Sequence, residues 1–472
     1  MREECGVVGV VKHGDESHPV PAALQMYYAL YALQHRGQES SGITVHDGKE
    51  PNTIKGMGLV PEVFKKNDLI ELKGKVGVGH VRYSTSGDSR LENCQPFIVR
   101  YKSGSVAIAH NGNLVNSSEL RKKLESEGHL FVASSDTEVI AHLLVKELLK
   151  YDPVDAIRHV MKQLNGSYSL AILIDDTLMA VRDPFGFKPL CIGTIDSGYV
   201  VASESVAIDT LNGELLRDVK PGELVIFRDG EIESHQLFNE PCCAHCVFEY
   251  VYFARPDSII DGKLVYKVRE RIGEILSKEY PVQADMVSPV PDSGITSAIG
   301  YARESDIDYE ESLMKNRYIG RTFILPGQAM RETAVRLKMN TIDENIKGKS
   351  IILIDDSVVR GTTSRRIIDM IRKAGAKEVH ARIGSPPIVA PCYLGIDMAS
   401  RDELIAAHKT IKGVEAVISA DSLGYLSIEG LVESIGLDRD DLCLGCLTGA
   451  YPVDIPGEKM CNRRQLKINE FQ

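Results

Sequence analysis

Residues 351–363, Ile-Ile-Leu-Ile-Asp-Asp-Ser-Val-Val-Arg-Gly-Thr-Thr, constrain the fold of this chain more than any other stretch. Four apolar residues, three of them β-branched, suit a strand buried on both faces of a parallel sheet, and the run is too short for a helix. Asp355 and Asp356 close the strand. In open α/β sheets ligands collect beyond the carboxyl ends of strands, where carboxylates accept hydrogen bonds from sugar hydroxyls or face a cation. Gly361 lets the backbone approach an anion, Thr362 and Thr363 add hydroxyls, and Ser364 opens a helix with a partly positive N-terminus. The stretch reads as a phosphate cradle beside a ribose grip. A plain buried strand with two helix-capping aspartates would leave the acidic pair, the glycine and the threonines to coincidence. Neither Gly-x-x-x-x-Gly-Lys-Ser/Thr nor Gly-x-Gly-x-x-Gly occurs.

At 472 residues the chain exceeds what one hydrophobic core organises, so two domains are expected. A formal charge of -11 argues against broad nucleic-acid or membrane-surface binding, and no apolar run is long enough to span a bilayer. The acidic start, Met-Arg-Glu-Glu-Cys, lacks the features of a secretory signal, so a cytoplasmic protein is expected. In such a reducing compartment the ten cysteines are thiols, nucleophiles or metal ligands before they are disulfides.

Cys5 begins the strand-like run Cys-Gly-Val-Val-Gly-Val-Val. If residues 1–4 were removed, Cys5 would carry both a thiol and a free α-amine, whose pKa of about 7.7–8 makes it a general base near neutrality. Taken alone, it reads first as a small buried strand residue. Residues 23–34 read as a helix with Leu24, Tyr27 and Tyr31 on one face, running into His35-Arg36-Gly37-Gln38-Glu39. Gly79-His80-Val81-Arg82-Tyr83-Ser84-Thr85 ends a strand in an arginine that could hold a carboxylate bidentately. In His110-Asn111-Gly112-Asn113-Leu114 a side-chain amide beside a glycine N–H could form an oxyanion hole, although Asn-Gly is also the commonest hairpin turn. Ser134-Ser135-Asp136-Thr137-Glu138 precedes an apolar helix over 139–149, with Ser135 and Glu138 spaced as a capping box.

In this order these segments resemble the glutaminase domain of N-terminal-nucleophile amidotransferases, a likeness covering roughly the first 240 residues. Short strands near 171–174, 179–182, 200–203 and 224–227 fit two facing sheets between helices, and the loop Arg182-Asp183-Pro184-Phe185-Gly186-Phe187-Lys188-Pro189-Leu190 is similar to that family as well. The resemblance implies Cys5 as nucleophile, Arg82 on the glutamine α-carboxylate, Asp136 on its α-ammonium, and Asn111 with Gly112 as the oxyanion hole. Arg36 would support the same glutamine pocket. It also implies a propeptide, residues 1–4, ahead of a glutaminase domain over 5–240.

The second half, 241–472, opens on Cys242-Cys243-Ala244-His245-Cys246. After an apolar strand, Asp292-Ser293-Gly294 would give a tight anion-binding turn, the alternative being a Pro-rich surface turn. A basic region runs from Lys315, Arg317 and Tyr318 through Arg331 and Lys338. Such a charge run is usually a solvated face, but beside a phosphorylated sugar it makes sense as a flap that excludes water. Cys443-Leu-Gly-Cys446 has metal-type spacing, and with Cys246 and Cys392 it would supply the thiolates for zinc or a [4Fe-4S] cluster.

The 351–363 stretch resembles the phosphoribosyl-pyrophosphate (PRPP) motif of type I phosphoribosyltransferases, and nearly the whole chain is similar to the amidophosphoribosyltransferase family. The implied fold is an α+β four-layer αββα N-terminal-nucleophile hydrolase domain followed by an α/β phosphoribosyltransferase domain with a mainly parallel sheet. The implied reaction makes 5-phosphoribosylamine from glutamine and PRPP, the first committed step of purine synthesis. Asp355 and Asp356 would hold ribose hydroxyls; Arg360, Gly361, Thr362 and Thr363 the 5′-phosphate; Asp292, Ser293 and Gly294 the pyrophosphate. Mg²⁺ would sit with Ser293, Asp355 and Asp356. The four cysteines would carry a structural [4Fe-4S] cluster rather than zinc. Purine-nucleotide feedback inhibitors and a homo-oligomer, dimer or tetramer, are further implications. The alternative is a PRPP- or nucleotide-sensing protein that has lost catalysis.

Overall fold

The structure is a computed structural model that describes residues 5–13, 20–83, 89–196, 198–239, 243–316, 339–398 and 400–460. Residues 1–4, Ser84, Thr85, Cys242, Arg317, Tyr318, Arg331 and Lys338 lie outside the described residues.

The strands of the first half are β1 (Gly6–Lys12), β2 (Ser40–His46), β3 (Pro51–Met57), β4 (Val76–Arg82), β5 (Phe97–Tyr101), β6 (Gly104–Leu114), β7 (Gly166–Ile174), β8 (Thr177–Arg182), β9 (Cys191–Ile195), β10 (Gly198–Ala202), β11 (Glu214–Asp218), β12 (Glu223–Arg228) and β13 (Glu231–Gln236). They form a seven-stranded sheet in the order β11-β9-β10-β1-β4-β2-β3 and a six-stranded sheet in the order β13-β12-β8-β7-β6-β5. Period-two alternation decides the layering. Val7, Val78, Ala107, Ala109, Ala171 and Ala180 face inward, where small side chains let the two sheets approach. The other faces are covered by helices. α1 (Ala22–Ala32) packs on Val8, Val10 and Ile43, while α2 (Asp136–Leu148) and α3 (Pro153–Met161) pack on Ile108, Leu170 and Ile172. This is the expected αββα stack.

Leu24, Tyr27 and Tyr31 share one face of α1, where Tyr27 stacks on Tyr31 and Leu24 and Tyr27 pack against the core. The deepest large side chains of the helix are Met26 and Leu30, whereas Tyr31 is 55% exposed. The cause lies on β4: a Cβ at Gly77 or Gly79 would fall 2.6 Å from Met26 or 2.9 Å from Leu30, so these side chains fill space the glycines leave.

The second half is built on a four-stranded parallel sheet, β14 (Met286–Pro289), β15 (Ser350–Asp355), β16 (Glu378–Ile383) and β17 (Ser422–Tyr425), with strand order β14-β15-β16-β17. Ile352 and Ile354 enter one core, with Val287, Val268 and Ile272. Ile351 and Leu353 enter the other, with Met286, Ile367 and Ile371. The apolar run is thus buried on both faces. α4 (Val265–Glu279) and α5 (Ile295–Ser305) cover the first face, and α6 (Thr362–Lys373) covers the second.

Between the halves, His245–Cys246 pairs in parallel with Leu442–Cys443, and Glu249–Phe253 forms a π-helical turn. Arg182 on β8 meets Asp261 at 2.7 Å, and Asp261 lies 3.0 Å from His245.

Candidate active sites and a cysteine-lined cavity

Cys5 lies just ahead of β1 and is 6% exposed. Its thiol donates to the Tyr83 carbonyl at 3.4 Å, and its own carbonyl accepts from Arg36 Nε at 3.0 Å. A charge buried this deeply must be matched. The Arg36 guanidinium lies 2.5 Å from Glu204 and 2.7 Å from Glu249, with both carboxylates buried. Burial alone would raise the Glu204 carboxyl, but the His35 and Arg36 charges outweigh it and hold the group well below the usual carboxylate range. Arg36 therefore reaches Cys5 through the Cys5 backbone and not through its thiol.

Arg82 ends β4, where Ser40 is its partner across the ladder, and its Nη1 lies 3.8 Å from Glu39. The facing sheet brings the remaining residues. Asn111 and Gly112 lie inside β6, opposite Ser169 and Tyr168 on β7, so the Asn-Gly pair is strand and not a hairpin turn. Gly112 has φ of 149°, and a Cβ there would fall 2.1 Å from the Ser167 carbonyl oxygen. Asn111 is 1% exposed, yet neither its amide nitrogen nor its oxygen has a partner among the described residues. Such a group is costly unless a ligand completes it.

Asp136 begins α2. It accepts from the Leu114 amide at 3.0 Å and lies 3.7 Å from His110 Nδ1, which fixes the helix start to the end of β6. Ser135 caps the helix through Thr137 N–H at 3.3 Å. The expected capping box does not close, because Glu138 accepts from Val132 and Ala133 N–H instead, at 2.9 and 2.8 Å. His80 on β4 reaches the His110 carbonyl at 3.0 Å and joins the two sheets at this end; burial pushes its pKa down to about 3, so it stays neutral. Glu204, Glu249 and His110 were not among the sequence candidates. Glu204, in Ser203-Glu204-Ser205 directly after a strand, carried the one local signal, an acid where the chain turns inward.

At the carboxyl end of β14 and β15 lies a cavity of about 460 Å³, lined by Ser293, Asp355, Asp356, Arg360, Gly361, Thr362 and Thr363 together with Tyr252 and Asp397. Ser293 donates its hydroxyl to Asp356, as does Ser357. Burial, and then the neighbouring Asp356 charge, push the Asp355 carboxyl well up. Burial raises Asp356 too, against the hydrogen bonds from the two serines. Gly361, with φ of 75°, precedes the first turn of α6, whose free N–H groups suit an anion. Arg360 at the rim pairs with Glu403 at 2.8 Å. Asp292 and Gly294 stand outside the lining: Asp292 is paired with Lys315 at 2.6 Å, and Gly294 precedes α5. Arg269 on α4 is held down at about 10 by burial against the Asp356 charge, and it donates to the carbonyls of Tyr250 and Ala254 at 2.8 Å. No pattern in the sequence marks it.

Cys246, Cys392, Cys443 and Cys446 ring a second, small cavity with Phe187, Leu394, Ile396 and Tyr451. Cys246 and Cys443 are partners across the short parallel bridge. Burial, and then the three other thiols, push the Cys446 thiol well up. Cys243 is not in the ring; it hydrogen-bonds His245. Among the described residues no three His, Cys, Asp or Glu side chains are gathered closely enough to hold a single metal ion. Among them, too, no helix is long and apolar enough to cross a membrane.

Residues 80–210 match the glutamine amidotransferase domain family, and residues 257–383 match the phosphoribosyl transferase domain family. The amidophosphoribosyltransferase of Methanocaldococcus jannaschii is 55% identical over 97% of this chain and 100% of its own length. That of Bacillus subtilis is 46% identical over 96% of this chain and 95% of its own. The solved structure of the B. subtilis glutamine PRPP amidotransferase complexed with ADP and GMP has a TM-score of 0.90 at 45% identity, covering 97% of this chain and 99% of that one.

Proposed function

The chain belongs to the amidophosphoribosyltransferases, and from that premise we propose how its residues divide the reaction. The enzyme is a pentosyltransferase that makes 5-phosphoribosylamine, glutamate and pyrophosphate from glutamine, PRPP and water, the first committed step of purine synthesis. Glutamine is cleaved in the first domain, residues 5–240, and its ammonia is used in the second, residues 241–472.

In the first domain the Cys5 thiolate attacks the glutamine amide carbon, with the α-amine freed by loss of residues 1–4 taking the thiol proton. The tetrahedral oxyanion is met by Asn111 Nδ2–H and the Gly112 N–H; ammonia leaves, and water cleaves the thioester. Arg82 exchanges its loose partner Glu39 for the substrate carboxylate, Asp136 takes the α-ammonium, and Arg36 holds the backbone of Cys5 in place. The observation that carries this assignment is the buried Asn111 amide, with neither of its atoms partnered.

In the second domain Asp355 and Asp356 hold the ribose hydroxyls. Arg360, Gly361, Thr362 and Thr363 hold the 5′-phosphate, and Asp292, Ser293 and Gly294 hold the pyrophosphate. The donor set of Ser293, Asp355 and Asp356 fits Mg²⁺, which neutralises charge on the departing pyrophosphate when bound. Lys315 is already seated on Asp292, and Arg317, Tyr318, Arg331 and Lys338 are assigned with it to shielding the phosphorylated sugar from water. The ring of Cys246, Cys392, Cys443 and Cys446 fits a [4Fe-4S] cluster in a structural role. Feedback by purine nucleotides, a homo-oligomeric state and a cytoplasmic location complete the reading; the B. subtilis neighbour carries ADP and GMP.

The test is to mix the purified protein with glutamine, PRPP and Mg²⁺. Glutamate and pyrophosphate released together are expected. Pyrophosphate formation from ammonia but never from glutamine would remove the role given to Cys5, and no reaction in either case would leave a PRPP-binding protein.

A further inference from the structure

Residues 392–397, Cys-Tyr-Leu-Gly-Ile-Asp, touch three places at once. Cys392, Leu394 and Ile396 line the cysteine cavity. Asp397 lines the cavity above the parallel sheet. Between them the backbone lies against the end of β6, beside the residues assigned to the oxyanion hole. The Tyr393 carbonyl accepts from Asn113 Nδ2 at 2.9 Å, and the Leu394 carbonyl accepts from Ser167 Oγ at 2.8 Å. Ser167 is fully buried; its hydroxyl in turn accepts from Asn113 N–H at 3.1 Å.

Gly395 seals the contact. Its φ is 103°, and a Cβ there would stand 3.2 Å from both the Cα and the carbonyl carbon of Gly112, and 3.0 Å from Lys188 Cε. Two glycine backbones from opposite halves of the chain therefore meet with no side chain between them. An oxyanion hole works only if its donors are already aimed where negative charge will develop. Gly112 has the freedom to misaim its N–H, because glycine at positive φ is not held by its own sterics. What holds it is its packing.

Resting on the reading of Cys5, Asn111 and Gly112 given above, we propose that residues 392–397 brace the oxyanion hole, with Asn113, Ser167 and Gly395 as positioning residues for glutamine cleavage. The order of the cysteine cavity is then read out in the glutaminase rate, although no cysteine of the ring touches glutamine. This brace is distinct from the ion pair of Arg36 with Glu249, which supports the nucleophile and not the oxyanion donors.

The experiment uses the full-length enzyme carrying Gly395→Ala or Asn113→Ala. It measures glutamine kcat and KM, ammonia-driven phosphoribosylamine synthesis, and the rate at which iodoacetamide alkylates Cys5. Loss of aim costs kcat by about 10- to 100-fold with KM within about 3-fold, because the donors act in the transition state. Ammonia-driven synthesis and Cys5 alkylation stay within about 2-fold of wild type, since neither uses the oxyanion hole. Asn113→Ala adds no atoms, so it carries the test if the tighter Gly395→Ala fails to fold. Two results overturn the brace: an unchanged glutamine kcat in Asn113→Ala, or equal loss of glutamine- and ammonia-driven rates, which marks a merely structural role. A wild-type enzyme that uses ammonia but cannot cleave glutamine would instead overturn the reading of Cys5, and the brace with it.

Discussion

The two sites hold charge in opposite ways. Around Cys5 charge is matched inside the protein: Arg36 lies against Glu204 and Glu249, and Arg82 near Glu39. What is left open there is neutral, the Asn111 amide. Above the parallel sheet the reverse holds. Asp355 and Asp356 stand side by side, each pushed up first by burial, while Arg269 directs donors to the carbonyls of Tyr250 and Ala254. On the proposed assignment the first site is a finished pocket for an oxyanion that exists only during reaction, and the second, unfinished in charge, would be completed by a cation and a polyphosphate. Preorganisation serves a short-lived intermediate, whereas a substrate that arrives with its own ions can supply the missing charge.

The largest expected effect separates the two sites outright. Cys5→Ala should lower glutamine-dependent synthesis by at least about 10³-fold, since it removes the thiol assigned to carry the acyl intermediate, while ammonia-driven synthesis stays within about 2-fold. Asp356→Ala should do the converse: PRPP-dependent synthesis from either nitrogen source is lost while basal glutaminase survives. Parallel assays of glutamate and pyrophosphate check both. Equal loss of both activities in either variant would break the comparison, because it would mean that the sites do not stand apart.

A middle-sized effect tests whether the first pocket is complete except for Asn111. Asn111→Leu should cost about 10²–10³ in glutamine kcat, the usual value of one oxyanion donor, with a smaller change in KM. The same change should leave thermal stability equal or raised, because it removes a buried amide with no partner. A fall in stability would mean that the amide has a structural partner.

How much of this was legible depended on how far apart the partners lie. Ile351, Ile352, Leu353 and Ile354 announced a doubly buried strand because the pattern is contiguous, and alternate residues do enter different cores. The αββα stack was legible from short strands and the order of loops. That Met26 and Leu30 are the deepest side chains of α1 was not legible, because it is set by Gly77 and Gly79, more than forty residues downstream and on a different element. Glu138 shows the opposite case: a local spacing rule pointed to Ser135, whereas the side chain satisfies the amides of Val132 and Ala133. The support under Cys5 was invisible beyond Arg36 itself, since its carboxylate partners lie 168 and 213 residues away. Buried ion pairs of that span leave no periodicity to read.

The smallest expected effect concerns the charge left open above the parallel sheet. Asp355 has a folded pKa above its unfolded value of about 3.9. For a carboxyl shifted upward, the folded state binds its proton more tightly than the unfolded chain does. Its contribution to stability is therefore fully present below the unfolded value and is lost as pH rises toward the folded one. In Asp355→Asn that cost of ionisation is absent. The ligand-free variant should accordingly melt about 2 °C above wild type at neutral pH in the transition of the second domain, the shift that roughly 1 kcal/mol makes in a domain of about 230 residues. The gain should vanish near pH 4, where the wild-type carboxyl carries its own proton. Millimolar Mg²⁺ with PRPP should reverse the ranking at neutral pH, because the pair then finds its counter-charge in wild type alone. A variant that melts below wild type without ligand at every pH would show that Asp355 is already compensated within the protein, and the contrast between the two sites would then rest on Asp356.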